Sequence, residues 1–353
     1  MRFGFIFMGR DLETVGPIAK LGEEQGFELI GLVDSPALAF DPYVALTLAA
    51  LQTERMRLGP GVTNPQTRHP LILANLAASL EQLAPGRTFL GLGTGNSGVR
   101  HAGAGPATLG ALAEAVDLIR RLLAGEPITV GGAQMAVKGG GRPVPILMAG
   151  SGPKSLRLAG QVADIVWINL GVTPDVVAAG LRWIREGAES AGRDPAGVET
   201  WVFAVGAIAN DRARALDEAT SPAIATAAYI LRGDAEAKRI PPAVQQKVEQ
   251  LLREYDYSQH LSPGRSANYY LAERLGIADY LVERLTISGT PEECRRKLEG
   301  LRAAGVENVC LSQSAAPDLP AYLRLFGEQV LPAFNGSRLH VQSSTLGAGG
   351  LEP

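Results

Sequence analysis

The sequence predicts an α/β protein, a (β/α)8 TIM barrel with an insertion between strand 7 and helix 7. Three observations predict it. Eight short apolar runs alternate with longer amphipathic stretches along the chain. The runs are apolar throughout, the pattern of parallel strands covered on both faces. The length of 353 residues suits one barrel carrying an insert.

The elements follow in order. "RFGFIFM" (2–8) is the first strand, and the helix at 11–26 ends at Gly26. "ELIGLV" (28–33) leads through "DSPALAFD" to a helix at about 42–54. "MRLG" opens the third strand, which runs into "GPGVTNPQTRHP" (59–70) and a helix near 71–84. Two glycines and three prolines are a poor way to end a buried strand, because proline gives no ladder hydrogen bond and glycine loosens the backbone. Something at that position requires them. "RTFLGLG" (87–93) precedes a glycine-rich loop and a helix near 108–124. "VPILMAG" (144–150), "DIVWINL" (164–170), "TWVFAVGAIA" (200–209) and "VENVCLS" (306–312) complete the set. Helices are expected after "SGP" at 151–153, over 174–191 and over 290–305. Residues 211–288 are polar and mostly helical, and are expected to lie over the barrel mouth as a lid or a partner surface. The barrel domain is assigned to 1–335. Residues 336–353 lose all periodicity and read as a disordered tail or an appended remnant.

Composition excludes several classes. A formal net charge of −3 gives no reason to expect nucleic acid or an acidic membrane surface as partner. Cys294 and Cys310 form no C-x-x-C pattern and read as reduced thiols, Cys310 within an apolar run. No targeting segment and no apolar run of about 18 residues is visible, so a cytoplasmic location is expected. The four histidines (His69, His101, His260 and His340) lack metal-ligand spacing, so no metal is expected. No G-x-S-x-G elbow is present.

In a parallel barrel the chemistry sits at the C-terminal strand ends. Two of those ends suit an anion. In "AGSGPKS" (149–155), Gly150 and Gly152 free backbone N–H groups beside Ser151, a proline starts a helix, and Lys154 adds charge. "GTGNSG" (93–98) offers the amides of Gly93 and Gly95 with Thr94, Asn96 and Ser97. This loop also matches G-x-G-x-x-G, but it follows the fourth strand and its acid, Asp117, falls inside a helix, so a Rossmann reading is rejected. His69 and His101 follow strand ends and are candidates for handling protons.

These motifs resemble the luciferase-like family of flavin- and deazaflavin-dependent oxidoreductases, which includes bacterial luciferase and methylenetetrahydromethanopterin reductase. The resemblance spans about residues 1–334 and is carried by "GPGVTNPQTRHP", "GRTFLGLGTGNS" (86–97) and "VPILMAGSGPKSLRLAGQVADIVWINLG" (144–171). It implies that the third strand ends in a bulge with a non-proline cis peptide near Gly61-Val62, backing the flavin or deazaflavin ring. Thr63 and Asn64 would face the ring's polar edge, and "GTGNS" and "GSGPK" would hold the side chain and phosphate. Met8 and Asn169, at the first and sixth strand ends, join the candidate cofactor-binding set with Ser35. Many such monooxygenases carry a histidine soon after the second strand, where this chain has "VDSPALAF" (33–40). Asp34 and Ser35 are the polar candidates there, and Asp34 and His69 are the catalytic candidates.

The resemblance implies an enzyme acting on a small molecule. The first reading is a two-component monooxygenase using reduced FMN from a separate flavin reductase. The alternative is a hydride-transfer enzyme using coenzyme F420. A non-catalytic flavin-binding protein is the third. The resemblance also implies a homodimer, with "PYVALTLAALQTERM" (42–56) as an interface helix.

Overall fold

The computed structural model describes residues 1–334 apart from 131, 262–263 and 314–315. Eight parallel strands form the barrel: β1 (Arg2–Phe7), β2 (Leu29–Leu32), β3 (Arg57–Pro60), β4 (Leu90–Leu92), β5 (Ile146–Gly150), β6 (Ile165–Ile168), β7 (Glu199–Ile208) and β8 (Asn308–Ser312). They are hydrogen-bonded in the order β3-β2-β1-β8-β7-β6-β5-β4. Parallel bridges Leu58↔Thr88 and Thr63↔Leu92 close the ring between β3 and β4.

Closure depends on glycine. A Cβ on Gly59 would lie 2.1 Å from the Phe89 carbonyl oxygen, and one on Gly91 would lie 2.1 Å from that of Pro60. No larger residue fits at that spacing, which explains part of the glycine content that looked costly in the sequence.

Helices cover the outside, and several begin on proline, whose missing N–H is not needed at a first helical position. Asp41, Thr108 and Thr290 cap three of them, the last with Glu293 in a capping box. The main core lies between strands and helices. A smaller cluster drawn from strand residues, including Phe89, Leu147, Trp167, Trp201, Phe203 and Cys310, fills the barrel interior.

Two features differ from the sequence reading. The segment 211–288 was read as a polar, mostly helical insertion, yet its last residues, with Gly289, form a strand: Thr286–Gly289 pairs in parallel with Val205–Ile208 of β7. The run is four residues long, three of them Thr, Ser and Gly, and abuts the helix cap Thr290, so no periodicity marks it. Among the described residues the insertion proper therefore holds four α-helices, Arg212–Ile230, Pro242–Glu254, Ala267–Leu275 and Ala278–Leu285, and a 3-10 turn at Tyr257–Gln259, on a core of their own. An antiparallel hairpin, Ile128–Val130 with Ala133–Met135, was also not foreseen. The tail assigned to 336–353, with His340, lies outside the described residues. Among the described residues no helix is long and apolar enough to cross a membrane.

Candidate cofactor and active site

A cavity of about 230 Å3 opens at the C-terminal ends of the barrel strands. Its floor is apolar: Ile6, Val62, Ala149, Trp167 and Phe203. The Gly61-Val62 peptide is cis, as the resemblance implied, and both residues line the cavity. A Cβ on Gly61 would meet Trp167 at 2.9 Å and Ile6 at 3.0 Å, so the bulge can lie against the interior only as glycine. Helix Arg212–Ile230 and the segment around His260 roof the cavity through Pro222, Ala225, Thr226, Tyr229, His260 and Leu261.

Most of the residues singled out in the sequence converge here. Met8, Asp34, Asn64, Gly93, Thr94, Gly95, Asn96, Ser97, Gly150, Ser151 and Asn169 all line the wall. "GTGNS" and the "GSGP" turn thus share one mouth. Ser35 and Thr63 stand just behind it. Ser35 Oγ donates to Ser97 Oγ at 3.1 Å, tying the end of β2 to the loop after β4. Thr63 Oγ1 donates to Asp34 Oδ2 at 2.6 Å.

Asp34 is not a free carboxylate. Its side chain is 5% exposed, and Arg68 Nε donates to it at 3.1 Å. Arg68 reaches Asp41 at 2.7 Å as well and stacks over Tyr43. Burial works against the Arg68 charge, but its bonds to Asp34 and Asp41 outweigh it and raise the guanidinium above its ordinary range. Burial and the nearby Asp34 raise the Tyr43 hydroxyl too. Arg68 was missed in the sequence, where "TRHP" drew attention to its histidine.

Three expected residues sit elsewhere. His69 is exposed and caps helix Pro70–Leu83, its Nδ1 accepting from the Leu71 N–H at 3.2 Å. That places it outside the cavity wall. Lys154 is likewise exposed and outside the wall, and Gly152 lies just behind Ser151. The amides expected to be free at this turn are occupied: Ser155 Oγ accepts from the N–H groups of Ser151 (3.1 Å) and Gly152 (3.2 Å). The hydroxyl two residues beyond the glycine motif competes for the donors that the motif exposes.

His260 was unplaced by sequence reasoning and is a wall residue. Its Nδ1 lies 2.8 Å from the Tyr255 hydroxyl. Burial, with a smaller push from His101, lowers its pKa to about 4, so the ring is neutral at ordinary pH. Arg100, on the short helix after "GTGN", lies 4.8 Å over the ring of Tyr257, joining the insertion to the β4 loop. Asn169 Nδ2 donates to Tyr229 Oη at 3.4 Å and joins it to β6.

A flat heterocycle with an apolar face and a polar rim fits this cavity: the floor offers carbon surface, and Asn64, Ser97 and Asn169 ring it with hydrogen-bonding groups. The family model for luciferase-like monooxygenase matches residues 1–308. The chain belongs to that family. It is 32% identical over 345 residues to the 5,10-methylenetetrahydromethanopterin reductase of Methanolobus tindarius, covering 94% of this chain and 100% of that protein. It is 28% identical over 360 residues to an F420-dependent glucose-6-phosphate dehydrogenase of Nakamurella multipartita, covering 94% and 96%. The structure of the coenzyme F420 dependent tetrahydromethanopterin reductase from Methanopyrus kandleri superposes with a TM-score of 0.75 at 26% identity, covering 94% of this chain and 99% of that one. This member of the family is thus an oxidoreductase by descent, and its relatives with F420-dependent activities match along its full barrel.

Proposed function

We propose that the protein is a coenzyme F420-dependent hydride-transfer enzyme, a reductase or dehydrogenase of a small organic substrate. The similarity to F420-dependent relatives over 94% of the chain carries this reading. It favours the alternative drawn from the sequence over the reduced-FMN monooxygenase. The second reading keeps the support of the family model, whose description is a monooxygenase.

When bound, the deazaflavin supplies a carbon centre that accepts or gives a hydride. The chain's own residues do the rest. Val62, Trp167 and Phe203 back one face of the ring and keep water from it. Asn64 and Asp34 would meet its polar edge, with Thr63 behind them fixing the Asp34 carboxylate and Arg68 pairing with it. The substrate enters beneath the roof, where Thr226, Tyr229 and His260 present neutral hydrogen-bonding groups. His260 stays uncharged there, so it can orient a substrate without repelling a cation or attracting an anion. The homodimer expectation also has a basis: Val44, Leu51, Ile72 and Leu83 on helices Pro42–Gln52 and Pro70–Leu83 are 48–65% exposed.

Anaerobic fluorescence titration with F420 and with reduced FMN tests the reading. F420 is expected to bind at least about tenfold more tightly, a difference of about 1.4 kcal/mol. Tighter binding of reduced FMN than of F420 would return the assignment to the monooxygenase.

A further inference from the structure

The cavity wall carries little positive charge for a cofactor with a phosphate. Arg68 is committed to two carboxylates, and Lys154 is exposed and outside the wall. Two other cations are contributed by the insertion: Lys238 stands behind the "GSGP" turn, and Arg284 lies next to Lys238 at Gly171. Lys238 is 6% exposed and Arg284 is 4% exposed. Lys238 Nζ donates to the Ile230 carbonyl. Arg284 donates to the carbonyls of Lys238 and Arg239 and to Tyr280 Oη, while its buried Nε has no partner. A Cβ placed on Gly152 would lie 3.7 Å from Lys238 Cε and 3.9 Å from Nζ. One placed on Gly171, just past β6, would lie 3.5 Å from Arg284 Nε.

This arrangement is electrostatically one-sided. Gly152 is the N-cap of helix Pro153–Val162, so the positive end of that helix meets a buried ammonium. The second cation adds to it, and among the described residues no carboxylate is paired with either. Burying charge without a counter-charge is costly, and buried charges are ordinarily paired. Burial and the repulsion from Arg284 lower Lys238 to about 8, which still leaves it largely protonated at neutral pH. An anion at the turn would relieve all three. The amides of Ser151 and Gly152 are already held by Ser155, so charge is the chief thing this turn has left to offer. Gly150 and Ser151 line the cavity, so the turn is open to a ligand there, and Gly152 has no side chain to stand between that ligand and Lys238.

We propose that Lys238, backed by Arg284, is the cation that holds the phosphate of the bound cofactor at the Gly150–Gly152 turn. The inference rests on the cofactor reading above but is not tied to one ring system. Its test therefore uses two ligand pairs: F420 with its phosphate-free 8-hydroxy-5-deazariboflavin core, and FMN with riboflavin. Which pair the wild type prefers tests the proposed function. The ratio within a pair tests Lys238.

Lys238→Gln is expected to weaken the phosphate-bearing member by about ten- to a hundredfold relative to its phosphate-free partner. Lys238→Arg is expected to restore most of the ratio, and Lys154→Gln to change it by less than about twofold. Gly152→Asp is a second, independent variant, since its Cβ has ordinary room and its carboxylate would occupy Lys238. It is expected to give the same selective loss. Equal losses for both members in Lys238→Gln would make Lys238 a cap for the Ile230 carbonyl and overturn the proposal. So would a selective loss in Lys154→Gln, or an unchanged ratio in Gly152→Asp.

Discussion

The floor and the roof of the cavity are built by opposite means. The floor is made from strand ends, and backbone contacts determine its shape. Thr63 N–H donates to the Gly91 carbonyl and Gly93 N–H to that of Thr63, both at 2.9 Å, so the bulge is stitched to β4 through main chain alone. The roof is made from an alanine-rich helix and a loop, packed on a core separate from the barrel's. Its ties to the β4 and β6 ends include side-chain contacts, such as Arg100 over Tyr257 and Asn169 with Tyr229. A floor held by backbone tolerates few substitutions. A roof held by side chains can be altered residue by residue, which suits the part of the site that meets the substrate.

That contrast can be broken most forcefully at Gly91. Gly91→Val would drive a branched side chain into the Pro60 carbonyl, and a destabilisation of about 3 kcal/mol or more is expected. Ala225→Ser on the roof is expected to cost under about 1 kcal/mol. Denaturant unfolding of both variants checks this; equal midpoints would remove the distinction between floor and roof.

A smaller effect is expected from Asp34→Asn. It weakens the bonds from Thr63 and Arg68 but leaves Arg68 paired with Asp41. A loss of about 1–3 kcal/mol is expected, with weaker binding of both phosphate-bearing and phosphate-free cofactors. Coupling with Arg68→Met in a double-mutant cycle would measure the pair directly, and a coupling energy near zero would remove Asp34 from the floor's framework.

The smallest effect sharpens the comparison on the roof side. His260 titrates near 4 in the folded chain and near its ordinary 6.5 when unfolded. Between those values the unfolded state binds the extra proton, so stability falls as pH drops from about 6.5 to 4. His101 and the Tyr255 hydroxyl are the neighbouring titratable groups. His260→Phe is expected to flatten this part of the stability curve while leaving the higher-pH part unchanged. Melting curves across that pH window would show it; an unaltered slope would mean that another group carries the titration.

Much of this molecule was determined by local sequence. Continuous apolar runs mark parallel barrel strands because both faces are buried, and all eight appear where the runs lie. The glycines and prolines of "GPGVTNP" marked a special strand end, the resemblance implied the cis bulge there, and the packed interior supplies the steric reason for Gly61. The "GTGNS" and "GSGP" loops meet at one mouth because a parallel barrel leaves no other place for strand ends. Tertiary structure alone decided the charges. Whether Asp34 is free depends on Arg68 folding back across the β2 and β3 loops. Whether the turn at Gly152 meets Lys154 or Lys238 depends on how the insertion packs behind it. Strand Thr286–Gly289 exists because β7 is long enough to offer it a free edge, not because its own residues call for one. Periodicity and turn chemistry act between near neighbours and are written in order along the chain. Pairing of buried charges joins segments far apart in sequence, and only the packed fold brings them together.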